Sequence, residues 1–141
     1  MMEIFRSFQT SGSALMAEKV RVDTVASNLA NLQTTRTVAG GPYRRKTVVF
    51  AERLAMVNQV PPSYRGRGVN VVTIVEDPNP PRLEYDPEHP DANADGYVAY
   101  PNVEMAKEMT DLVTASRSYE ANSTVINTAK SLYLKALEIG R

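Results

Sequence analysis

Asp91, Asn93, Asp95 and Gly96 fall at a spacing that could hold a calcium ion. Oxygen-bearing residues at the first, third and fifth positions of a loop, with glycine at the sixth, open an EF-hand. The twelfth position of that loop needs a bidentate Glu, and Asn102 stands there. A strand-like segment, not a helix, also precedes it. The only histidine, His89, lies close to Asp86 and Glu88. Side chains so near in sequence rarely converge on one ion, and no partner ligands recur elsewhere. The bland reading is a connection stiffened by Asx turns and prolines, and it is the better one. No metal and no cofactor is assigned, and Asp91, Asn93 and Asp95 are carried forward as the calcium candidates.

Arg44, Arg45 and Lys46 form the one cationic cluster, beside Tyr43. Such a cluster could meet nucleic-acid phosphates. The chain has equal numbers of acidic and basic residues, however, and no second basic patch. A neutral chain lacks the field that draws polyanions, so no nucleic-acid partner is expected. A solvated strand start, or ion pairs to a neighbouring subunit, explains the cluster as well. Cysteine is absent, which excludes disulfides, thiolate metal sites and cysteine nucleophiles. The histidine has no apparent base or nucleophile partner, so an enzyme is not expected. No apolar run approaches a membrane span, and residues 1–10 lack the pattern of a cleavable secretory signal.

The elements that would position these residues are marked by breakers. All nine prolines lie between Pro42 and Pro101, and five of the seven glycines between Gly40 and Gly96. Two breaker-poor ends therefore flank a breaker-rich middle. Residues 1–36 form an N-terminal helix and its exit, 37–101 a β-rich middle module, and 102–141 a long C-terminal helix.

The last segment has no Gly or Pro from Val103 to Ile139. One helix there would be roughly 55 Å long, more than the rest of the chain can cover. Met105, Leu112, Tyr119, Ile126 and Tyr133 recur every seven residues, with Ala115, Asn122, Ala129 and Ala136 in the adjacent row. This is an a/d seam whose small residues admit a close neighbour. Residues 2–33 read as the first helix, with Phe8, Leu15, Val22 and Leu29 in heptad spacing. Its adjacent row holds Ile4, Ser11, Glu18, Val25 and Leu32, which suits a helix that meets several neighbours on different strips. Gly12 is either a tolerated surface glycine or a point of close helix approach. Asn28 and Asn31 share a helix face near the exit, where an amide can bond free carbonyls or a neighbouring chain.

In the middle, Gly40-Gly41-Pro42 predicts a turn and Thr47–Phe50 a strand. Residues 51–64 are ambiguous between strand and helical turn. Val69–Val75 is the clearest strand, and Arg82–Tyr85 is expected as its return strand in a hairpin. The fold class is mainly α with a small β-rich insertion: long terminal helices pairing as a coiled-coil-like stalk, with a β-hairpin module between them.

Val25-Ala26-Ser27-Asn28-Leu29-Ala30-Asn31 with Thr34-Thr35 resembles the N-terminal signature of bacterial flagellar axial proteins, the rod and hook family. Gly40–Lys46, Tyr85-Asp86-Pro87, His89–Ala92, Asp95–Val98 and Tyr100–Val103 resemble the motifs of its proximal-rod members. Tyr119-Glu120-Ala121-Asn122 and Ala129-Lys130-Ser131 resemble the family's C-terminal motif. The resemblance implies a structural subunit of the flagellar basal-body rod, the periplasmic drive shaft and export channel. It implies as partners other proximal rod proteins, the distal rod protein, copies of the chain itself and the flagellar export apparatus, with no membrane insertion and no cleaved signal. The expected assembly interface is Phe8, Leu15, Val22, Asn28, Leu29, Asn31, Met105, Leu112, Tyr119, Asn122, Ile126 and Tyr133. In the free subunit both termini are expected to be largely disordered, and to fold only when neighbouring subunits supply the missing apolar contacts. Another axial protein of the family, or a calcium-responsive coiled-coil binding module, remains the alternative.

Overall fold

The computed structural model describes residues 2–54 and 66–139. Two long helices dominate it: α1, Met2–Ala30, and α2, Met105–Ile139. They pack against each other and run antiparallel. Asn28 near the end of α1 bonds to Glu108 in the first turns of α2, while Arg6, Thr10 and Ser11 border the same cleft as Val125. Helix α2 begins four residues after Pro101 and ends just before Gly140, whereas α1 ends at Ala30, well before the first following breaker, Gly40. At its exit α1 stops at Ala30, three residues earlier than its apolar pattern suggests. Asn31 is the cause. Its amide donates to the Ser27 carbonyl at 2.9 Å and its Oδ1 accepts from Thr34 Oγ1 at 3.1 Å, which satisfies the frayed turn locally.

The connection then reverses through Gly40 and Gly41, at φ +88° and +74°. Both lie in the left-handed region that only glycine enters at little cost. Thr37 brackets the turn, accepting from Gly40 N–H and donating its own N–H to the Gly41 carbonyl.

Strand β1, Lys46–Leu54, pairs antiparallel with β2, Gly66–Glu76, placing Lys46 opposite Glu76 and Val48 opposite Ile74. The ladder shifts register between Val49 and Phe50 and between Glu52 and Leu54. Residues 51–54 thus continue the strand; the ambiguous 55–64 lie outside the described residues, apart from which the ribbon is complete. It lies along α1, so that α1 runs between α2 and the ribbon.

The expected hairpin of Val69–Val75 with Arg82–Tyr85 does not form. Strand β3, Arg82–Tyr85, instead pairs with β4, Tyr97–Tyr100, with Tyr85 opposite Tyr97. The reason is in the connection. Pro78, Pro80 and Pro81 fix their φ angles and supply no N–H, so residues 77–81 cannot make the hydrogen-bonded reversal that a direct return strand needs. The turn that does reverse is 86–96. It is closed by Asn93, whose Oδ1 accepts the N–H groups of Asp95 (3.0 Å) and Tyr97 (2.9 Å), and by Gly96 at φ +81°. The stiff segment expected between Asp86 and Asn102 therefore contains a strand.

The most buried residues gather where the end of α1, the 31–45 connection, β4 and the start of α2 meet. They include Val25, Asn28, Tyr43, Val98, Val103 and Glu108. Among the described residues of α2, none beyond Ala115 is buried.

Candidate functional site

Two features could do work. One is a buried polar junction at the closed end of the helix pair. The other is the apolar surface along the open end.

The junction centres on Asn28 and Glu108, both with no exposed surface. Helical spacing carries Asn28 to the inner face of α1, two residues before the helix ends at Ala30. Its Nδ2 donates to the Lys46 carbonyl and to Glu108 Oε2, each at 2.9 Å. Its Oδ1 accepts from Lys46 N–H at 2.9 Å and from the Tyr43 hydroxyl at 3.0 Å. All four hydrogen-bonding positions of the amide are filled within the chain. Glu108 Oε1 in turn accepts from Arg45 Nε at 2.6 Å, a charge-assisted bond in a desolvated site. Arg45 also reaches Thr47 Oγ1 at 2.8 Å and Asp111 Oδ2 at 3.4 Å, and its backbone N–H donates to Asn102 Oδ1 at 3.1 Å. The Asp77 N–H closes on the Arg45 carbonyl at 2.7 Å.

The cationic cluster is thereby explained. Arg45 pairs inside the subunit, and Lys46 Nζ sits 5.7 Å from the Tyr43 ring centroid. Glu108 was not among the residues expected to do work, and sequence reasoning missed its role. The signal available was an acidic residue in the adjacent row of the seam, three positions after Met105, where a small residue would otherwise pack.

The expected interface residues divide by environment. Asn28 is buried in the junction and Asn31 is used at the helix exit. Phe8, Leu15, Val22, Leu29, Leu112, Asn122 and Ile126 are half-buried, flanking the line where the helices meet. Met105, Tyr119 and Tyr133 are exposed. The side chains buried on the two helices belong instead to the adjacent rows: Ser11, Val25, Ala115 and Glu108. Glu18 belongs to the same row; its Oε2 is buried and has no hydrogen bond, with Arg21 Nη1 at 3.6 Å. The helices meet on small and polar side chains, and the larger apolar ones are left on the flanks. Leu132, Leu134, Leu137 and Ile139 stand at least half exposed on the last turns of α2.

Asp91, Asn93 and Asp95 do not converge. Asp91 Oδ2 accepts from Thr35 Oγ1 at 2.8 Å, and its Oδ1 lies 3.9 Å from Arg36. Asn93 Oδ1 holds the turn. Among the described residues no group of three or more His, Asp or Glu side chains is placed to hold a metal ion.

An antiparallel pair of long terminal helices, closed by a polar junction and carrying a β insertion, defines an assembly subunit of the axial type. The comparisons with known proteins agree. A family model described as flagella basal body rod protein matches residues 8–36, and one for the C-terminal region of flagellar basal body rod FlgEFG proteins matches 94–139. The chain is 48% identical to the flagellar basal-body rod protein FlgC of Bacillus subtilis, over 99% of this chain and 100% of the relative. It is 43% identical to that of Borreliella burgdorferi, over 98% of each, and 43% identical to that of Salmonella typhimurium, over 99% of this chain and 100% of the relative. The chain belongs to the FlgC family of flagellar basal-body rod proteins.

Proposed function

We propose that this structural rod subunit assembles with other rod components by burying the apolar flanks of its helix pair, and that the polar junction fixes the pose in which those flanks are presented. The observation that carries this reading is the open end of α2, where every described residue from Ser131 to Ile139 is exposed. Burying a Leu side chain contributes roughly 1.5–3 kcal/mol. Leu132, Leu134 and Leu137 are already about half covered, so covering the rest would stabilise an assembly by roughly 2–5 kcal/mol, before the cost of ordering the chain is subtracted. Phe8, Leu15, Val22, Leu29, Met105, Leu112, Tyr119, Ile126 and Tyr133 form the rest of the contact. Asn122 is half-buried and bonds back to the Ser118 carbonyl at 2.8 Å, so it is a polar register point on the seam.

The three segments divide the work. Residues 1–36 and 102–141 make the contacts along the shaft, and 37–101 holds the module outside it. The partners in this reading are the other proximal rod proteins, the distal rod protein and further copies of the chain. The chain reaches the rod through the flagellar export apparatus, and its role there is structural and not catalytic. No helix among the described residues is long and apolar enough to cross a membrane. Folding is graded: the junction end of the helix pair forms in the free subunit, and the open end completes on assembly.

The test is incorporation. Leu132→Asp places a charge where the free subunit has open surface, so it leaves the isolated fold intact and blocks incorporation into basal bodies. Ile126→Asp, at a half-buried position on the seam, also blocks incorporation, at some cost to the stability of the free subunit. Normal rod assembly and motility with both variants would sink the reading.

A further inference from the structure

The β1–β2 ribbon is fastened unevenly to α1. At its base, Asn28 bonds both the N–H and the carbonyl of Lys46, and Asp77 N–H bonds the Arg45 carbonyl. Along its length none of the described side chains is buried, and Val49, Val72, Ile74 and Val75 are exposed. Apolar cover of that kind makes a weakly held local unit that can open without unfolding the rest. Towards its far end the ribbon meets α1 again. There the Val69 N–H donates to Ser13 Oγ at 3.0 Å, and Ser13 Oγ donates to the Thr10 carbonyl at 2.7 Å. The back-bond to Thr10 orients the serine hydroxyl, so its lone pair faces the strand.

Gly68 makes this approach possible in two separate ways. Its φ of +111° is a conformation that L side chains rarely adopt. A Cβ there would also collide with Ser13 Oγ and stand 3.3 Å from Thr10 Cα. The helix offers small residues in return: Thr10, Ser13, Ala17 and Thr24 recur at helical spacing, and Ala17 and Thr24 are buried. A glycine on the strand and a serine on the helix thus meet at one point, about four turns from the junction.

We propose that Ser13 and Gly68 form a latch that holds the ribbon along α1, and that the subunit enters the rod with the ribbon latched. Ser13 is a positioning residue in this scheme. The latch concerns the isolated chain; its role in assembly rests on the rod-subunit reading.

The experiment is hydrogen exchange on the full-length free protein, read at the Val69 amide and across β2, beside far-UV circular dichroism. Ser13→Ala speeds Val69 exchange about tenfold, the loss of roughly one net hydrogen bond, while helix content stays at the wild-type level. Ser13→Thr, which keeps the hydroxyl, retains most of the protection. Gly68→Ala releases the strand more widely, and the same change costs less in a Ser13→Gly background, where the colliding atom is gone. Wild-type exchange in Ser13→Ala, or equal effects of Gly68→Ala in both backgrounds, overturns the latch. Both variants are then expressed in cells lacking the native relative. A released ribbon with undiminished rod assembly overturns the assembly role and leaves the latch standing. Failure of the wild-type chain to enter rods overturns the rod-subunit reading, and with it the assembly role alone.

Discussion

Asn28 is a short amide with four hydrogen-bonding positions, and the fold brings it four partners from three segments. Removing it strands several of them. With Asn28→Ala, Glu108 Oε2, the Tyr43 hydroxyl and both backbone groups of Lys46 lose a partner in a buried site, and each unsatisfied group costs about 1–3 kcal/mol where water cannot reach it. Partial hydration reduces the sum, so a loss of about 3 kcal/mol is expected in urea unfolding, with helix content following it. The Arg45–Glu108 pair obeys a related rule. Breaking a buried pair from one side leaves an uncompensated charge, costing about 3–5 kcal/mol. Glu108→Met and Arg45→Met should each be severe, and the double variant less destabilising than either alone. A thermal-unfolding cycle over the four proteins measures that coupling. At the 86–96 turn the opposite outcome is expected. Asp91 and Asn93 already serve Thr35 and the turn amides, so calcium should leave the melting temperature unchanged, because a ligand stabilises only the state that binds it.

The two helices carry different loads. In α1, the Ser11–Val25 row meets α2 while the Thr10–Thr24 row meets the ribbon, so both faces of one element are engaged. This is why its seam looked poor for a two-stranded coil. Gly12 lies outside both rows, about 100° beyond Ser11 around the helix, and a Cβ there would meet nothing within 4 Å. Of its two expected roles, the tolerated glycine fits. Gly12→Ala should stabilise the free protein by about 0.5–1 kcal/mol, from helix propensity alone, with a matching rise in thermal midpoint. The long helices, their breakers and the glycine turn were legible because each depends on local residue types. Strand pairing was not. Val69–Val75 has no local mark that selects Lys46–Leu54 over Arg82–Tyr85; proline stiffness at 78–81 was the clue, and its effect is to forbid one partner, not to name another. β4 was hidden because Tyr97-Val98-Ala99-Tyr100 is short and follows a turn-rich run. The junction was illegible for a related reason: Asn28, Arg45 and Glu108 are far apart in sequence, and only the antiparallel return of α2 brings them together.

Over the whole molecule, order is concentrated at one end. The burial that fixes the fold lies around the junction, and the far half of α2 contributes exposed leucines and Ile139. Amide exchange should show the gradient directly, slow around residues 20–30 and 103–118 and fast beyond Asn122, in protein too dilute to associate. A uniform profile along α2 would mean that the helix pair is complete by itself. The ribbon adds a consequence for handling the pure protein. A two-stranded sheet has an unpaired row of N–H and C=O groups along each outer border, and here the outward side bears Val49 and Val75 beside Thr47 and Thr73. Such borders recruit foreign strands. Concentrated stocks should therefore clump through stacked ribbons while their helices stay intact, and a lysine at Thr73, on the outward side away from α1, should keep them clear.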